Sequence, residues 1–295
     1  MIRPYREQDA AAVSALLAAA WPGDAALASI SAIHGLDLDS DDQWRRTVVC
    51  VRDAEIVGAG TLLASARHPS RYYVVVLVAP DARRRGIGST LLDELAELGD
   101  GRPLLARVRD DDETGLAFLQ DRGFNVLTQS RVGLVDPNDP RVQAWIATAP
   151  PSRIESNTPR DELATAHEEA YAAEHASWSP TTPRPLEESL RLFCGDSWLP
   201  VTARAARSEG RVTAVAALHG PPLSPTPTEL FLIAGSTTGD AAALRSVVAA
   251  ELNAAQSLGA VVSIEADDAN AHLSQILGEL PAAMEPTLFL LSTDA

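Results

Sequence analysis

The chain has 295 residues, more than a single hydrophobic core usually holds, so its length predicts two domains. Its net charge is −16, and its 24 basic residues are all arginine; such a surface repels nucleic acid and anionic membranes, so we expect neither as a partner. The opening MIRPYREQDA has no apolar signal-peptide core, and no apolar run approaches the roughly 18 residues of a membrane span, so we expect a cytoplasmic protein.

The first half of the chain predicts strands that alternate with helices. A short strand over 1–5 leads into an alanine-rich helix over 10–20, which Asp9 is placed to cap. β-branched runs over 47–52 and 56–66 flank the turn Asp53-Ala54-Glu55 and predict a hairpin. The elements predicted next are a strand over 72–79, a helix over 87–98 ended by Gly99, a strand over 104–108, a helix over 114–122 and strand structure over 124–135.

The second half repeats this order of elements. It predicts a helix over 160–175, strands over 201–206, 211–219 and 229–234, a helix over 240–258, a strand over 260–266, a helix over 269–279 and a strand over 287–291. The helices that end at Gly99 and Gly259 lie 160 residues apart, which indicates a weak internal duplication.

Proline-containing breaks at 136–140 and 149–152 mark the boundary between the halves. We therefore predict one domain over 1–138 and a second over 150–295. The fold class predicted for each is α/β, with a mixed, mostly antiparallel sheet flanked by helices.

The two cysteines, Cys50 and Cys194, lie far apart in the sequence. A disulfide scaffold would be richer in cysteine, and a structural zinc site would show close Cys/His pairs. We interpret both as small buried hydrophobes, and no metal is predicted.

The segment 74–92, VVVLVAPDARRRGIGSTLL, joins a strand to a helix through an arginine-glycine loop. A helix N-terminus presents unpaired N–H groups and partial positive charge, which bind phosphate. Gly86 and Gly88 leave room for a pyrophosphate near the backbone, and the three arginines at 83–85 can add charge-assisted contacts. A Walker A loop would need a lysine and a dinucleotide fingerprint a third glycine, so neither fits.

This segment resembles motif A of the GNAT acetyltransferase superfamily, whose pattern is [Arg/Gln]-x-x-Gly-x-[Gly/Ala]. Arg83, Gly86 and Gly88 fill its three defined positions. Downstream, the segment 115–124, GLAFLQDRGF, is similar to the family's fourth helix with its closing Gly-Phe. The order of elements matches the family over 1–136. The resemblance implies a GNAT fold in tandem and acetyl-CoA binding by the N-terminal half.

The resemblance also implies which residues hold acetyl-CoA. In the family, the strand before the loop splays away from its neighbour, so its backbone amides hold the pantetheine arm, and the loop amides hold the pyrophosphate. The cofactor-binding residues implied here are Leu77, Val78, Arg83, Arg84, Arg85, Gly86, Ile87, Gly88 and Ser89. A substrate amine would attack the thioester directly, with a strand amide stabilising the oxyanion.

Two positions depart from the family's usual acid and base. The stretch 73–76, YVVV, has no carboxylate where many members carry a glutamate base, and Leu119 stands where many carry a tyrosine acid. The catalytic candidates are Tyr72 and Tyr73, of which strand alternation directs only one to the cofactor, and His34, whose near-neutral pKa suits a base. Packing is the alternative role for the tyrosines, and solvation for the histidine.

Further polar residues lie near these candidates in the sequence. Asp37, Asp39, Asp41 and Asp42 form an acidic cluster that could attract a cationic substrate, or could be a solvated charged loop. His68, between two strands, is likewise either a candidate base or a solvated loop histidine.

The second half lacks the motif. At the 160-residue offset, its three defined positions correspond to Ala243, Ser246 and Val248, so the arginine and both glycines are missing. We expect the Val248 side chain to obstruct a phosphate. The C-terminal half is therefore predicted to be a degenerate GNAT-like domain that does not bind CoA.

Two classes of function follow from these residues. The first is an acetyl-CoA-dependent N-acetyltransferase that acts on an amine of a small molecule or a peptide. The alternative is a CoA-binding sensor or partner-binding module without turnover. The acceptor and the oligomeric state, a homodimer included, stay open at this point.

Overall fold

The computed structural model describes residues 1–20, 34–40, 43–193, 199–220 and 228–294. Asp41, Asp42 and Cys194, for which the sequence carried predictions, lie outside these residues. The chain divides into two compact units. The first contains residues 1–108, 114–127 and 290–295, and the second contains residues 109–113 and 128–289.

The first unit is a mixed sheet with helices on both faces. Its main elements are strands β1 (Ile2–Pro4), β2 (Leu38–Asp39), β3 (Gln43–Arg52), β4 (Glu55–Ser65), β5 (Tyr72–Val78) and β6 (Leu104–Arg109), and helices α1 (Ala10–Ala20), α2 (Ile87–Leu98) and α3 (Glu113–Asp121). Asp53 and Ala54, with φ of 50° and 68°, form the predicted turn between β3 and β4. The strand order is β1-β3-β4-β5-β6 followed by the last strand of the chain, β14 (Leu288–Ser292), with β2 beside β3.

The pairing of these strands is mostly antiparallel. β1 with β3, β3 with β4 and β4 with β5 are antiparallel ladders, whereas β5 and β6 run parallel. The parallel pair needs a crossover connection, and α2 supplies it.

Helices α1 and α2 pack on opposite faces of this sheet because the side chains of β4 alternate between the faces. Ala59 of β4 clusters with Val13 and Leu16 of α1. Gly60 points the other way: a Cβ there would lie 2.8 Å from the Cδ1 of Leu95 on α2. The missing side chain at Gly60 lets α2 approach the sheet closely, which fixes the position of the loop that precedes this helix.

The second unit repeats the same arrangement. Its elements are strands β7 (Asn125–Val135, from Thr128 onward), β8 (Ile154–Glu155), β9 (Leu199–Ser208), β10 (Arg211–Gly220), β11 (Glu229–Ser236), β12 (Val261–Asp267) and β13 (Ala283–Met284), and helices α4 (Pro140–Ala147), α5 (Arg160–His175), α6 (Leu186–Phe193), α7 (Ala241–Leu258) and α8 (Ala271–Glu279). The strand order is β7-β12-β11-β10-β9-β8, with β13 beside β7. β11 and β12 are the parallel pair, and α7 connects them.

The segment predicted to separate the domains is a helix of the second unit. Asp139 caps α4 by accepting a hydrogen bond from the Arg141 N–H at 2.8 Å, and Pro140 occupies the first turn. Val142 and Trp145 are buried in the core of this unit. The Asp-Pro sequence therefore begins a helix where the sequence analysis placed a break.

The two units differ from the predicted ranges 1–138 and 150–295 at the last strand of each half. Ser130 of β7 pairs with Asp267 of β12, so 128–138 belongs to the second unit. The Thr293 N–H donates to the Leu104 carbonyl at 3.1 Å, so 290–295 completes the first unit. Each unit thus contains the final strand of the other half of the sequence.

The predicted fold class is confirmed. Both units are α/β, with a mixed, mostly antiparallel sheet flanked by helices.

Cys50 is a buried free cysteine, as predicted. Among the helices that the structure describes, none combines the length and the apolar character that crossing a bilayer requires.

Candidate functional site

A gap in the sheet of the first unit opens between β5 and β6. In the described part of the chain, the register of this parallel pair covers only Tyr72 with Leu104 and Tyr73 with Leu105. Beyond these pairs both strands continue, β5 to Val78 and β6 to Arg109, without pairing to each other. Among the described residues, the backbone groups of β5 that point to this side therefore have no strand partner.

Strand geometry identifies which amides of β5 face the gap. The Tyr72 N–H donates to the Pro103 carbonyl at 2.9 Å, on the side of β6. Successive N–H groups of a strand point to opposite sides. Val76 and Val78 therefore direct their N–H groups into the gap, whereas the Leu77 N–H points to β4. Of the two residues predicted to offer strand amides, Val78 directs its N–H into the gap and Leu77 does not. Val76, which was not predicted, also directs its N–H into the gap, because it lies two residues before Val78.

The loop that follows β5 has two residues in the left-handed region. A 3-10 helix, Pro80–Ala82, leads to Arg84 with φ of 61° and Gly86 with φ of 78°. A left-handed arginine is uncommon and costs roughly 1 kcal/mol or more. Left-handed residues alternating with right-handed ones turn successive N–H groups to one side, which forms an anion-binding concavity.

Helix α2 begins at the end of this loop without a side-chain cap. Gly86 is the N-cap residue, and no described side chain caps the first N–H groups of the helix. Gly86 and the arginines at 83–85 are exposed, while 87–89 are half-buried. The Nε of Arg83 donates to the Val78 carbonyl at 3.2 Å, which ties the loop to the end of β5. The predicted loop residues thus form one surface with uncapped amides and positive charge.

Gly88 lies in the first turn of α2, next to the end of β5. A Cβ at this position would be 3.5 Å from the Phe118 ring of α3 and 3.7 Å from the Cγ2 of Val78. These are ordinary contacts, so the first turn sits directly against the strand that lines the gap. The structure therefore brings together Val78, Gly88 and Phe118; the aromatic residue was not selected in the sequence analysis.

Residues 12–124 match the Acetyltransferase (GNAT) family. Residues 12–124 therefore form a GNAT-family domain. The match covers motif A, the strand before it and the segment that ends in Phe124. A comparison with curated protein sequences finds no significant match.

Solved structures share the fold of the whole chain. The tandem GNAT protein from the clavulanic acid biosynthesis pathway is 17% identical, with a TM-score of 0.65 over 99% of this chain and 97% of that one. The GCN5-related N-acetyltransferase from Sphaerobacter thermophilus is 16% identical, with a TM-score of 0.64 over 99% and 94%. A putative acetyltransferase from Pyrococcus horikoshii is 15% identical, with a TM-score of 0.56 over 99% and 88%. The tandem GNAT architecture is thus shared at the level of fold.

His34 of the GNAT domain is not a solvated loop histidine. Its Nδ1 lies 2.6 Å from the Thr61 hydroxyl, which lies 3.0 Å from the Thr47 hydroxyl. Its Nε2 is shielded from solvent and has no hydrogen-bond partner among the described residues. Burial, together with the positive charge of Arg45, lowers the His34 pKa to about 4. The expected near-neutral pKa was therefore wrong, and the imidazole is neutral at neutral pH.

The two candidate tyrosines occupy different faces of β5. Tyr72 is buried beside Gly99 at the end of α2, where its hydroxyl accepts from Arg102, whose guanidinium also lies 4.0 Å from the ring centroid. Alternation puts Tyr73 on the opposite face, the one that carries Thr61 and therefore His34. Tyr73 is half-buried, with the Arg107 guanidinium 5.6 Å from its ring centroid. The structure thus places Tyr73 and His34, but not Tyr72, on one face.

The other polar candidates have structural partners. Arg46 pairs with Asp39 at 2.7 Å and with Asp37 at 3.8 Å, so these two carboxylates are partly neutralised. His68 is buried and meets the Tyr73 ring edge-on at 6.5 Å; the alternative of a solvated loop histidine was wrong because this loop packs inward.

The helix of the second unit that corresponds to α2 begins two turns earlier. The positions aligned with motif A, Ala243, Ser246 and Val248, lie within helix α7 and are buried. Asp240 caps this helix by accepting from the Ala243 N–H at 2.9 Å. The Val248 side chain lies in the hydrophobic core, not over the helix N-terminus, so the expected obstruction by this side chain was wrong. The carboxylate of Asp240 occupies that N-terminus instead.

Proposed function

We propose that this protein is an acetyl-CoA-dependent N-acetyltransferase whose first unit binds acetyl-CoA and transfers the acetyl group to an amine of a small molecule or a peptide. The observation that carries the proposal is the separation of β5 from β6 beside the uncapped N-terminus of α2. The acyl-transferring family of this domain supports the reaction class.

The residues on either side of the gap suit the two ends of acetyl-CoA. The uncapped amides of 86–89 and the exposed arginines at 83–85 offer positive charge to the pyrophosphate. The inward-facing N–H groups of Val76 and Val78 can hydrogen-bond the extended pantetheine as a further strand would. Acetyl-CoA supplies a thioester carbonyl that an amine attacks. The strand amides would orient this carbonyl and stabilise charge on its oxygen.

The acceptor amine must be uncharged when it attacks. The described residues of β5 and the buried Leu119 provide neither a carboxylate nor a tyrosine at the usual family positions. His34 is neutral at neutral pH and can accept a proton, but its low pKa makes it a weak base. We therefore propose that acceleration comes mainly from holding the two reactants together. Water or the amine's own equilibrium would remove the proton.

The alternative function is a CoA-binding sensor or partner-binding module without turnover. The buried leucine at 119 and the low pKa of His34 favour this alternative, since both weaken acid–base catalysis. Both functions require the first unit to bind CoA.

Calorimetric titration of the full chain with acetyl-CoA tests the shared requirement. We expect one site per chain, because α7 of the second unit begins with the Asp240 carboxylate. Two equivalent sites would contradict the prediction that the second unit does not bind CoA. Absence of binding would overturn the proposal. A panel of amines, assayed by release of the CoA thiol, then separates transferase from sensor: acceptor-dependent release supports the transferase, and its absence across cationic, sugar and peptide amines favours the sensor.

A further inference from the structure

A mixed cluster of donor side chains lies in the second unit, apart from the CoA loop. It consists of Glu174 and His175 at the C-terminal end of α5 and Asp267 at the end of β12. One carboxylate oxygen of each acid and one ring nitrogen of the histidine all lie within 4.8 Å of one another. Three ligand atoms at such spacing surround a point that a single metal ion can occupy after small side-chain adjustments.

The histidine of this cluster is buried, and its ring orientation is fixed by its neighbours. His175 is 5% exposed, and its Nδ1 lies 2.9 Å from the carbonyl oxygen of Tyr171. A carbonyl oxygen only accepts, so Nδ1 donates this hydrogen bond and Nε2 is the ring nitrogen that would coordinate a metal ion. Metal-binding histidines usually donate their second ring nitrogen to such a carbonyl. The ring is stacked on Tyr171 at 3.9 Å and packs on Trp178 at 4.8 Å, which fixes its orientation.

The Glu174 carboxylate is also oriented by a hydrogen bond from outside the cluster. The Asn270 amide donates to Glu174 at 3.0 Å. The cluster thus brings the carboxylates of Glu174 and Asp267 within 4.8 Å of each other, and a bound cation would offset their mutual repulsion.

We propose that Glu174, His175 and Asp267 form a binding site for one divalent first-row transition-metal ion, with Zn²⁺ as the best match. An imidazole nitrogen with two carboxylate oxygens suits Zn²⁺, Mn²⁺, Fe²⁺ or Co²⁺, whereas Mg²⁺ and Ca²⁺ prefer oxygen ligands alone. Three protein ligands leave one tetrahedral position for water.

The ion would join two elements that are distant in the sequence. Glu174 and His175 end α5, and Asp267 ends β12, so one coordination sphere would fasten the helix to the sheet of this unit. Binding to the folded state alone stabilises it according to the metal concentration. This site therefore serves the stability of the second unit and does not depend on acetyl transfer.

The first test uses the full-length wild-type chain, stripped with a chelator and titrated with ZnCl2 by calorimetry and with CoCl2 by visible absorption. We expect saturation at one ion per chain and a rise of the melting temperature with Zn²⁺. X-ray absorption at the zinc edge should show nitrogen and oxygen neighbours with a single imidazole. No saturable binding at millimolar metal, or a sulfur neighbour, would overturn the site.

Three variants then assign the ligands: Glu174→Gln, His175→Gln and Asp267→Asn. Each should weaken Zn²⁺ binding by at least about tenfold and reduce the Zn²⁺-dependent rise in melting temperature. The matched control is Asp268→Asn, because this neighbouring carboxylate pairs with Arg131 at 3.5 Å outside the cluster. Circular dichroism checks that each variant is folded. Wild-type affinity in folded Glu174→Gln and Asp267→Asn would refute the assignment.

Discussion

Gly86 and Asp240 hold the same position in the two units, immediately before the helix that connects the parallel strands, and they leave those helices in opposite electrostatic states. Gly86 contributes no side chain, so the first N–H groups of α2 have no side-chain cap. Asp240 accepts from the Ala243 N–H at 2.9 Å, so the N-terminus of α7 already holds a carboxylate. An anionic pyrophosphate suits the first helix, and a carboxylate in its place repels one at the second.

Gly86→Asp should therefore give the N-terminus of α2 a carboxylate like the one that Asp240 places at α7. The added carboxylate can cap the helix, and its charge opposes a pyrophosphate at the same amides. We expect CoA affinity, measured by calorimetry, to fall about tenfold or more below that of Gly86→Asn.

Gly86→Asn is the matched control, because asparagine has nearly the same shape and, like aspartate, tolerates the left-handed φ of 78° at this position. Any strain from replacing glycine is then common to both variants, and only the charge differs. Equal CoA affinities for the two variants would show that the helix N-terminus is not the phosphate site.

Gly88→Val should weaken CoA binding through volume instead of charge. A Cβ at Gly88 already touches Phe118 at 3.5 Å and Val78 at 3.7 Å, so the two additional methyl groups must extend into the space around the loop. We expect a loss of affinity on the order of tenfold or more, with the domain still folded.

The control for this variant is Gly278→Val in α8, where a Cβ meets no atom within 4 Å. Both substitutions place a β-branched residue in a helix, so the effect on helix propensity is similar. Wild-type CoA affinity in Gly88→Val would disprove the placement of the pyrophosphate beside this turn.

Local signals sufficed to predict the loop and its flanking elements. Helix α2 begins at Ile87 and ends at Leu98 as predicted, because Gly86 and Gly99 mark its ends and apolar residues recur along one face. The hairpin at Asp53 and Ala54 followed likewise from turn chemistry. Patterns of this kind depend on residues close in the sequence, so they can be interpreted without knowledge of the tertiary fold.

Features that depend on distant partners were not predicted. His34 is half-buried, and its hydrogen-bond partner is Thr61, which lies 27 residues away in a strand. Leu290 and Leu291 complete the first unit although the whole second half separates them from Leu104. Asp139-Pro140 was interpreted as a break because its local chemistry fits both a turn and a helix start. The helix forms because it buries Trp145 in the core of the second unit.

His34 should make the stability of the protein sensitive to mild acid. The unfolded chain has an ordinary histidine pKa of 6.5, whereas the folded His34 has a pKa of about 4. Between these values the unfolded state binds more protons, so the free energy of unfolding falls as the pH decreases through this window. The His34 contribution should drop by about 2 kcal/mol between pH 7 and pH 5, measured by urea unfolding.

His34→Gln separates this effect from the titration of other groups. The amide side chain does not titrate, so the variant should lose about 2 kcal/mol less than wild type between the same two pH values, although its stability at pH 7 is lower. Parallel pH profiles of the two proteins would show that the imidazole is solvated in the folded state.

Leu291→Ala should destabilise the first unit, although Leu291 lies near the C-terminal end of the sequence. Leu291 is fully buried and belongs to the strand that completes this unit, whose next residues hydrogen-bond Leu104 through the Ser292 hydroxyl at 3.0 Å and the Thr293 N–H at 3.1 Å. Truncating a buried leucine costs about 2–5 kcal/mol.

The exposed Leu258, at the end of α7, is the matched control: Leu258→Ala should change the free energy of urea unfolding by no more than about 0.5 kcal/mol.

Because residues 290–295 belong to the unit proposed to bind CoA, saturating acetyl-CoA should restore stability to Leu291→Ala, by about 2.7 kcal/mol at a hundredfold excess over Kd. A variant that is destabilised but gains nothing from acetyl-CoA would mean that the C-terminal strand and the CoA site do not share one cooperative unit.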